Sequence, residues 1–233
     1  MDVRSVLDTS QRRRQGVLVV APHPDDEALG CGGTIAARCA AGHTVAIVFM
    51  TDGERAFAEV LGIHEHPTPK ELAAIRRREA HAAAAALGVP ASCLYRLGLP
   101  DSGLADVAEE ALRALAQVVD GLARVDELFA PHPADGHPDH RATWGIVEAA
   151  LDRLVVTPRV CHYLIWRESQ RLTPPQAAID VSLHLSQKQE AIRAYRSQTT
   201  CIAPGQRHPV LPGSFVAPFA EASIERFWLR QPR

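Results

Sequence analysis

The chain has 233 residues, 46% of them hydrophobic and 22% charged, enough apolar material for one folded core and with no composition break that would divide it. Lys plus Arg number 25 against 27 Asp plus Glu; the net charge of -2 excludes the basic footprint of a nucleic-acid or anionic-membrane binder and leaves a small molecule as the expected partner. There is no apolar run of 18 residues, no apolar signal segment in residues 1–14, and no CxxC pair among five cysteines, so the expectation is a cytoplasmic protein with free thiols and no marker of oligomeric state.

After a basic start expected to be flexible over residues 1–14, Val17-Leu18-Val19-Val20 reads as a strand, followed by a glycine cluster and an Ala-rich helix over Thr34–Ala41. Strand Val45–Met50, loop Thr51–Pro69 and helix Lys70–Leu87 come next, then strand Cys93–Leu97 and helix Leu104–Leu122. Strand Leu128–Ala130 precedes a helix over His140–Leu154. Strands separated by helices of this length predict parallel pairing with helices on both faces: a single-domain, doubly wound, mostly parallel α/β sheet of Rossmann-like type. Further on, Val160–Trp166 and Ala178–Val181 read as strands and Leu185–Arg196 as a helix, while residues 199–233 read as irregular cover with one short helix at most. Ligands of such sheets bind beyond the carboxyl ends of the strands.

Two motifs fall at such ends. In Ala21-Pro22-His23-Pro24-Asp25-Asp26-Glu27, proline and acids suit a plain helix N-terminus, but Gly30, Gly32 and Gly33 make a poor helix to follow it. A site is the better account, with His23 and Asp26 sharing a cation across one turn and Asp25 free to act as a base. In Asp135-Gly136-His137-Pro138-Asp139-His140, capping explains Asp139 but not two histidines three apart at a helix start. Three ligands of His, Asp and His type with one open position suit a catalytic metal, since a structural zinc takes four protein ligands. A two-metal phosphoesterase would want more carboxylates. The glycine cluster lacks GxGxxG spacing and follows acids where a pyrophosphate would lie, which excludes a dinucleotide site.

With these pieces the chain resembles the PIG-L/LmbE-like deacetylases, zinc enzymes acting on N-acetylglucosamine-type amides. Further matching segments are Thr51-Asp52-Gly53-Glu54, Arg76 with Glu79 ahead of Leu87-Gly88-Val89, Pro100-Asp101-Ser102-Gly103, and Lys188 through Ser197-Gln198. The resemblance implies one Zn2+ per chain held by His23, Asp26 and His140, with Asp25 as general base. It also implies that His137, oriented by Asp139, faces the oxyanion, and that Arg76 and Asp101 contact sugar hydroxyls. A carboxylate beside His137 would keep its imidazolium populated near neutral pH. The implied substrate is an N-acetylated amino sugar or its conjugate; cleavage of a larger amide and a non-catalytic sugar-binding role are the alternatives. Without the resemblance, Arg77, Arg78 and Lys188 read as solvated charges, Tyr195 as core packing, and His64 and His66 as parts of an exposed loop.

Overall fold

The expected strands and helices alternate in the computed structural model, which describes residues 14–152, 157–167 and 172–230. They are β1 (Gly16–Ala21), α1 (Asp26–Ala40), β2 (Thr44–Thr51), α2 (Ala56–Leu61), α3 (Pro69–Ala86), β3 (Leu94–Leu99), α4 (Ala108–Gly121), β4 (Glu127–Pro131) and α5 (Pro138–Leu151). Then come β5 (Arg159–Tyr163), β6 (Ala177–Asp180), α6 (Leu185–Ala194), α7 (Arg196–Thr199), α8 (Gly213–Ala220) and β7 (Ile224–Leu229). All of the expected flexible start except Arg14, and the end of the helix expected to reach Leu154, lie outside the described residues. No helix among the described residues is long and apolar enough to cross a membrane.

The seven strands are ordered β3-β2-β1-β4-β5-β7-β6. The first five pair in parallel and β7 runs antiparallel to both its neighbours. Side chains of β1 alternate between two cores: Val17, Val19 and Ala21 join the core that includes Ile35, Leu72 and Ile192, while Leu18 and Val20 join that of Leu115 and Trp144. A strand buried on both faces loses the polar alternation of a half-exposed one, which is why it reads as an unbroken apolar run. The sheet reverses direction of growth between β1 and β4, and the crevice beyond this switch point is where the two motifs emerge.

Three expectations are corrected. Residues 199–233 are not irregular cover: they contain α8 and β7, the latter inside the sheet between β5 and β6. A buried Glu225 interrupts the apolar alternation of Ile224–Leu229, so the strand pattern is hidden. The loop between β2 and α3 contains α2, a six-residue helix with only Phe57 buried, too short to show a period. Finally, α1 does not wait for the glycines to end; it starts at Asp26 and breaks at Cys31 (φ -150°, ψ 24°).

Glu225 repairs that break. Its carboxylate accepts the amides of Gly33 and Thr34 at 2.9 and 2.8 Å and the Thr34 hydroxyl at 2.6 Å, satisfying donors that the interrupted helix leaves without carbonyl partners. Lys188, expected to be solvated, is 1% exposed and balances this charge with Nζ 2.9 Å from Glu225 Oε1. Gly33 is required there, because a Cβ would stand 2.6 Å from Val181. Removing one partner of a buried ion pair leaves an uncompensated charge, so Lys188→Met is expected to destabilise the fold by about 3–5 kcal/mol. Urea unfolding checks this; a midpoint unchanged from wild type would show that the pair contributes nothing.

Candidate active site

The end of β1 is fastened to the end of β2, where the amide and hydroxyl of Thr51 both reach the Pro22 carbonyl at 3.0 Å. The chain then turns sharply through Asp25, whose φ of 136° is rare for any residue but glycine and costs about 1–3 kcal/mol. Four contacts hold it in this conformation. The Asp25 amide donates to Glu27 Oε2 at 3.1 Å, the Tyr195 hydroxyl donates to Glu27 Oε1, and Arg76 Nη2 lies 3.0 Å from Asp25 Oδ2 while also donating to the Pro24 carbonyl. Arg76 Nη1 binds the Gly53 carbonyl at 2.9 Å, and a Cβ on Gly53 (φ 63°) would collide with the guanidinium at 2.1 Å.

The turn aims Asp26 inward. His23 Nδ1 and His140 Nε2 both lie 3.2 Å from the same oxygen, Asp26 Oδ2. The second nitrogen of each ring is backed by carboxylate: His23 Nε2 by Asp101 Oδ1 and Asp139 Oδ2, and His140 Nδ1 by Asp135 Oδ2, each at 3.2 Å. Carboxylates behind histidines are the usual outer shell of a metal site. Neither nitrogen of His140, which is wholly buried, makes a hydrogen bond, so both its carboxylate approaches are out of alignment. A buried imidazole with no hydrogen-bond partner is rare unless something else takes its lone pair. Although burial opposes both shifts, Asp26 and Asp135 raise His140 to about 9, and His140 and His23 hold Asp26 far below the usual carboxylate range. The cluster therefore attracts positive charge at the point where its side chains converge, and His23, Asp26 and His140 fit a divalent ion.

One ring nitrogen each from His23, His137 and His140 also lies within 4.8 Å of the other two, so His137 has to be weighed as a ligand. Its Nδ1 accepts the Asp139 amide at 3.2 Å, which caps α5 and leaves the proton of the neutral ring on Nε2. A nitrogen carrying a proton donates and does not ligate. The expected pairing of Asp139 with His137 is thereby corrected: the Asp139 carboxylate turns to His23 and to the amides of Ser102 and Leu104 at 2.7 and 3.3 Å. An imidazolium is corrected as well, because burial, then His23 and His140, push His137 down to about 4.

Arg76 and Asp101 line the cleft but differ from expectation in their contacts. Nη1 and Nη2 of Arg76 donate to Gly53, Pro24 and Asp25 while its buried Nε makes no hydrogen bond, and the two oxygens of Asp101 face His23 and the Arg55 amide, at 3.2 and 2.8 Å. Burial pushes Asp25 up to about 7 against the opposing charge of Arg76. The cleft has His23, Asp25, Asp26 and His137 on its polar side.

Sequence reasoning missed Asp135, Glu27 and Tyr195. Asp135 lies two residues before His137 in the motif, and its carboxylate accepts the amides of His137, Ile165 and Trp166 at 3.0, 3.0 and 3.2 Å while backing His140. Glu27 directly follows the aspartates, a signal that was visible; nothing local marks Tyr195. Asp135→Ala is expected to weaken metal affinity about 10–100-fold, measured by chelator competition; unchanged affinity would show that His140 needs no such support.

The family description "PIG-L: GlcNAc-PI de-N-acetylase" matches residues 18–151. A probable N-acetyl-alpha-D-glucosaminyl L-malate deacetylase 2 of Bacillus cereus is 29% identical over 91% of this chain and 96% of its own length. A 1D-myo-inositol 2-acetamido-2-deoxy-alpha-D-glucopyranoside deacetylase of Actinosynnema mirum is 31% identical, over 84% of this chain and 89% of the relative. Among solved structures, the conserved protein TT1542 from Thermus thermophilus superposes with a TM-score of 0.68 at 31% identity, covering 93% of this chain and 95% of that one. With the family match spanning more than half of the 233 residues and including both motifs at the switch point, the chain belongs to the PIG-L family.

Proposed function

We propose that this protein is a zinc-dependent hydrolase that removes the acetyl group from an N-acetylglucosamine-type sugar or its conjugate. The observation that carries this reading is the meeting of His23 Nδ1 and His140 Nε2 on one Asp26 oxygen, with the strained Asp25 next to it in the same cleft. The deacetylases of amino-sugar conjugates among its relatives give the substrate class. His23, Asp26 and His140 would hold a divalent ion, which when bound would supply a Lewis acid for an amide carbonyl and for water near neutral pH.

The side chains divide the remaining work. Asp25, with a carboxyl raised to about 7, is tuned to accept a proton from attacking water near neutral pH. Arg76 and Glu27 hold it in place, from its carboxylate and from its amide. Neutral His137 donates through Nε2 to the oxygen that gains charge as the amide carbon becomes tetrahedral. Asp25, which takes the proton from water beside the same amide, is the group placed to return it to the departing amine. All five cysteines are free, which suits a reducing cytoplasm.

Acetate and free amine should appear in equal amounts when zinc-loaded protein is given N-acetylglucosamine, its malate and inositol conjugates, and N,N'-diacetylchitobiose. Amine and acid released from a longer N-acyl glucosamine, with none from these acetamides, would indicate a larger amide as the substrate. Release of neither from any of them would overturn the deacetylase reading.

A further inference from the structure

The cleft is divided by chemistry. Beside its carboxylates and imidazoles the cleft is lined by the apolar side chains of Ile165, Trp166, Val210, Leu211 and Phe215, and by Val60, which is 54% exposed. The Trp166 and Phe215 rings are stacked with centroids 4.5 Å apart and planes at 29°. Trp166 does not drift relative to the reactive side, because Asp135 Oδ2 takes the amides of residues 165 and 166 and also backs His140. The Trp166 ring lies 6.4 Å from that of His137, so the aromatic surface begins about one ring away from where an amide would react. An acetyl group is too small to need this wall, and apolar surface left open beside a polar site marks a ligand-binding groove.

Charge narrows what fits there. Among the described residues that line the cleft, Arg76 is the only arginine or lysine, it is buried, and its Nη1 and Nη2 are turned to Gly53, Pro24 and Asp25. Arg55, next in sequence to the lining Ala56, is paired with Glu59 at 3.0 Å. Asp25, Asp26, Glu59 and Asp101 all line the same space. An anionic substituent on the aglycone would meet Glu59 and Asp101 with no lysine or arginine on the apolar side of the cleft to receive it.

We propose that the Trp166–Phe215 wall is the subsite for the aglycone, and that the substrates are N-acetylglucosaminides bearing an uncharged aglycone with an apolar or aromatic face. This rests on the deacetylase reading and names the conjugate that the same site prefers. Aromatic faces favour flat apolar groups over hydrated carboxylates, and water leaving both surfaces drives the contact.

The test compares the phenyl, methyl and malyl N-acetyl-α-D-glucosaminides as substrates of the zinc-loaded protein and of Trp166→Ala, Phe215→Ala and the milder Phe215→Leu. Wild type is expected to favour phenyl over methyl by about tenfold in kcat/KM, with malyl below methyl. The substitutions should remove most of the phenyl advantage while the methyl glycoside changes by less than about threefold, a split that general damage to the fold would not produce. The proposal is overturned if malyl matches or exceeds phenyl, or if the phenyl advantage survives both Trp166→Ala and Phe215→Leu. A uniform loss on all three substrates would also overturn it, since the wall would then hold the sugar itself. If no substrate releases acetate, the deacetylase reading falls separately, and calorimetric binding decides the subsite: phenyl tighter than malyl upholds it, and equal or reversed affinities sink it.

Discussion

Asp25→Asn is expected to lower kcat by about 10²–10⁴-fold while the protein keeps its fold and one equivalent of metal. Asparagine preserves the size of the side chain and an oxygen that Arg76 can still approach, and it leaves the amide free to donate to Glu27 as Asp25 does at 3.1 Å. What it cannot do is accept and return a proton. The readout is therefore the split between turnover and metal content: kcat collapses, and zinc measured by elemental analysis stays at wild-type stoichiometry. Near-wild-type kcat with metal in place would remove Asp25 from the reaction.

His140→Ala is expected to abolish both metal binding and turnover, a larger effect than the 10–100-fold loss set by an outer-shell residue. His140 is wholly buried between the carboxylates of Asp26 and Asp135, each 3.2 Å from one of its nitrogens, so its removal takes away one of the three side chains that fit the ion. Thermal unfolding separates this from simple misfolding. Zinc at about 100 times its Kd should stabilise the wild type by about 2.7 kcal/mol and should leave the variant's Tm unmoved. A variant that still gained stability from zinc would place the ion on other ligands.

The parallel half of the sheet was legible because burial on both faces turns β1, β2 and β4 into unbroken apolar runs, and the motifs stand out as polar clusters at their ends. β7 was not legible, because Glu225 and Arg226 interrupt it and its partners β5 and β6 are set by long-range pairing. In the site, spacing brought out His23 with Asp26 and the pair His137 and His140, the choice of His140 as ligand coming from the family resemblance, whereas the directions of Arg76 and Asp139 depend on neighbours that spacing does not show. Arg76 had a readable sign: it falls four residues after Leu72 and four before Ala80, on the buried stripe of α3, unlike the half-exposed Arg77. The role of Asp135 rests on loops from two strands meeting, which no local pattern contains.

β7 is the last strand in chain order, yet it fills an interior lane of the sheet, and its Glu225 anchors the helix that carries the aspartates. During synthesis, the antiparallel edge must therefore wait with a slot open until residues 224–229 leave the ribosome, and until then the amides of Gly33 and Thr34 have no carboxylate to receive them. Maturation of the catalytic corner is thus timed by the arrival of the most distal strand, and a nascent chain stalled before it would expose the flanks of β5 and β6 to wrong partners.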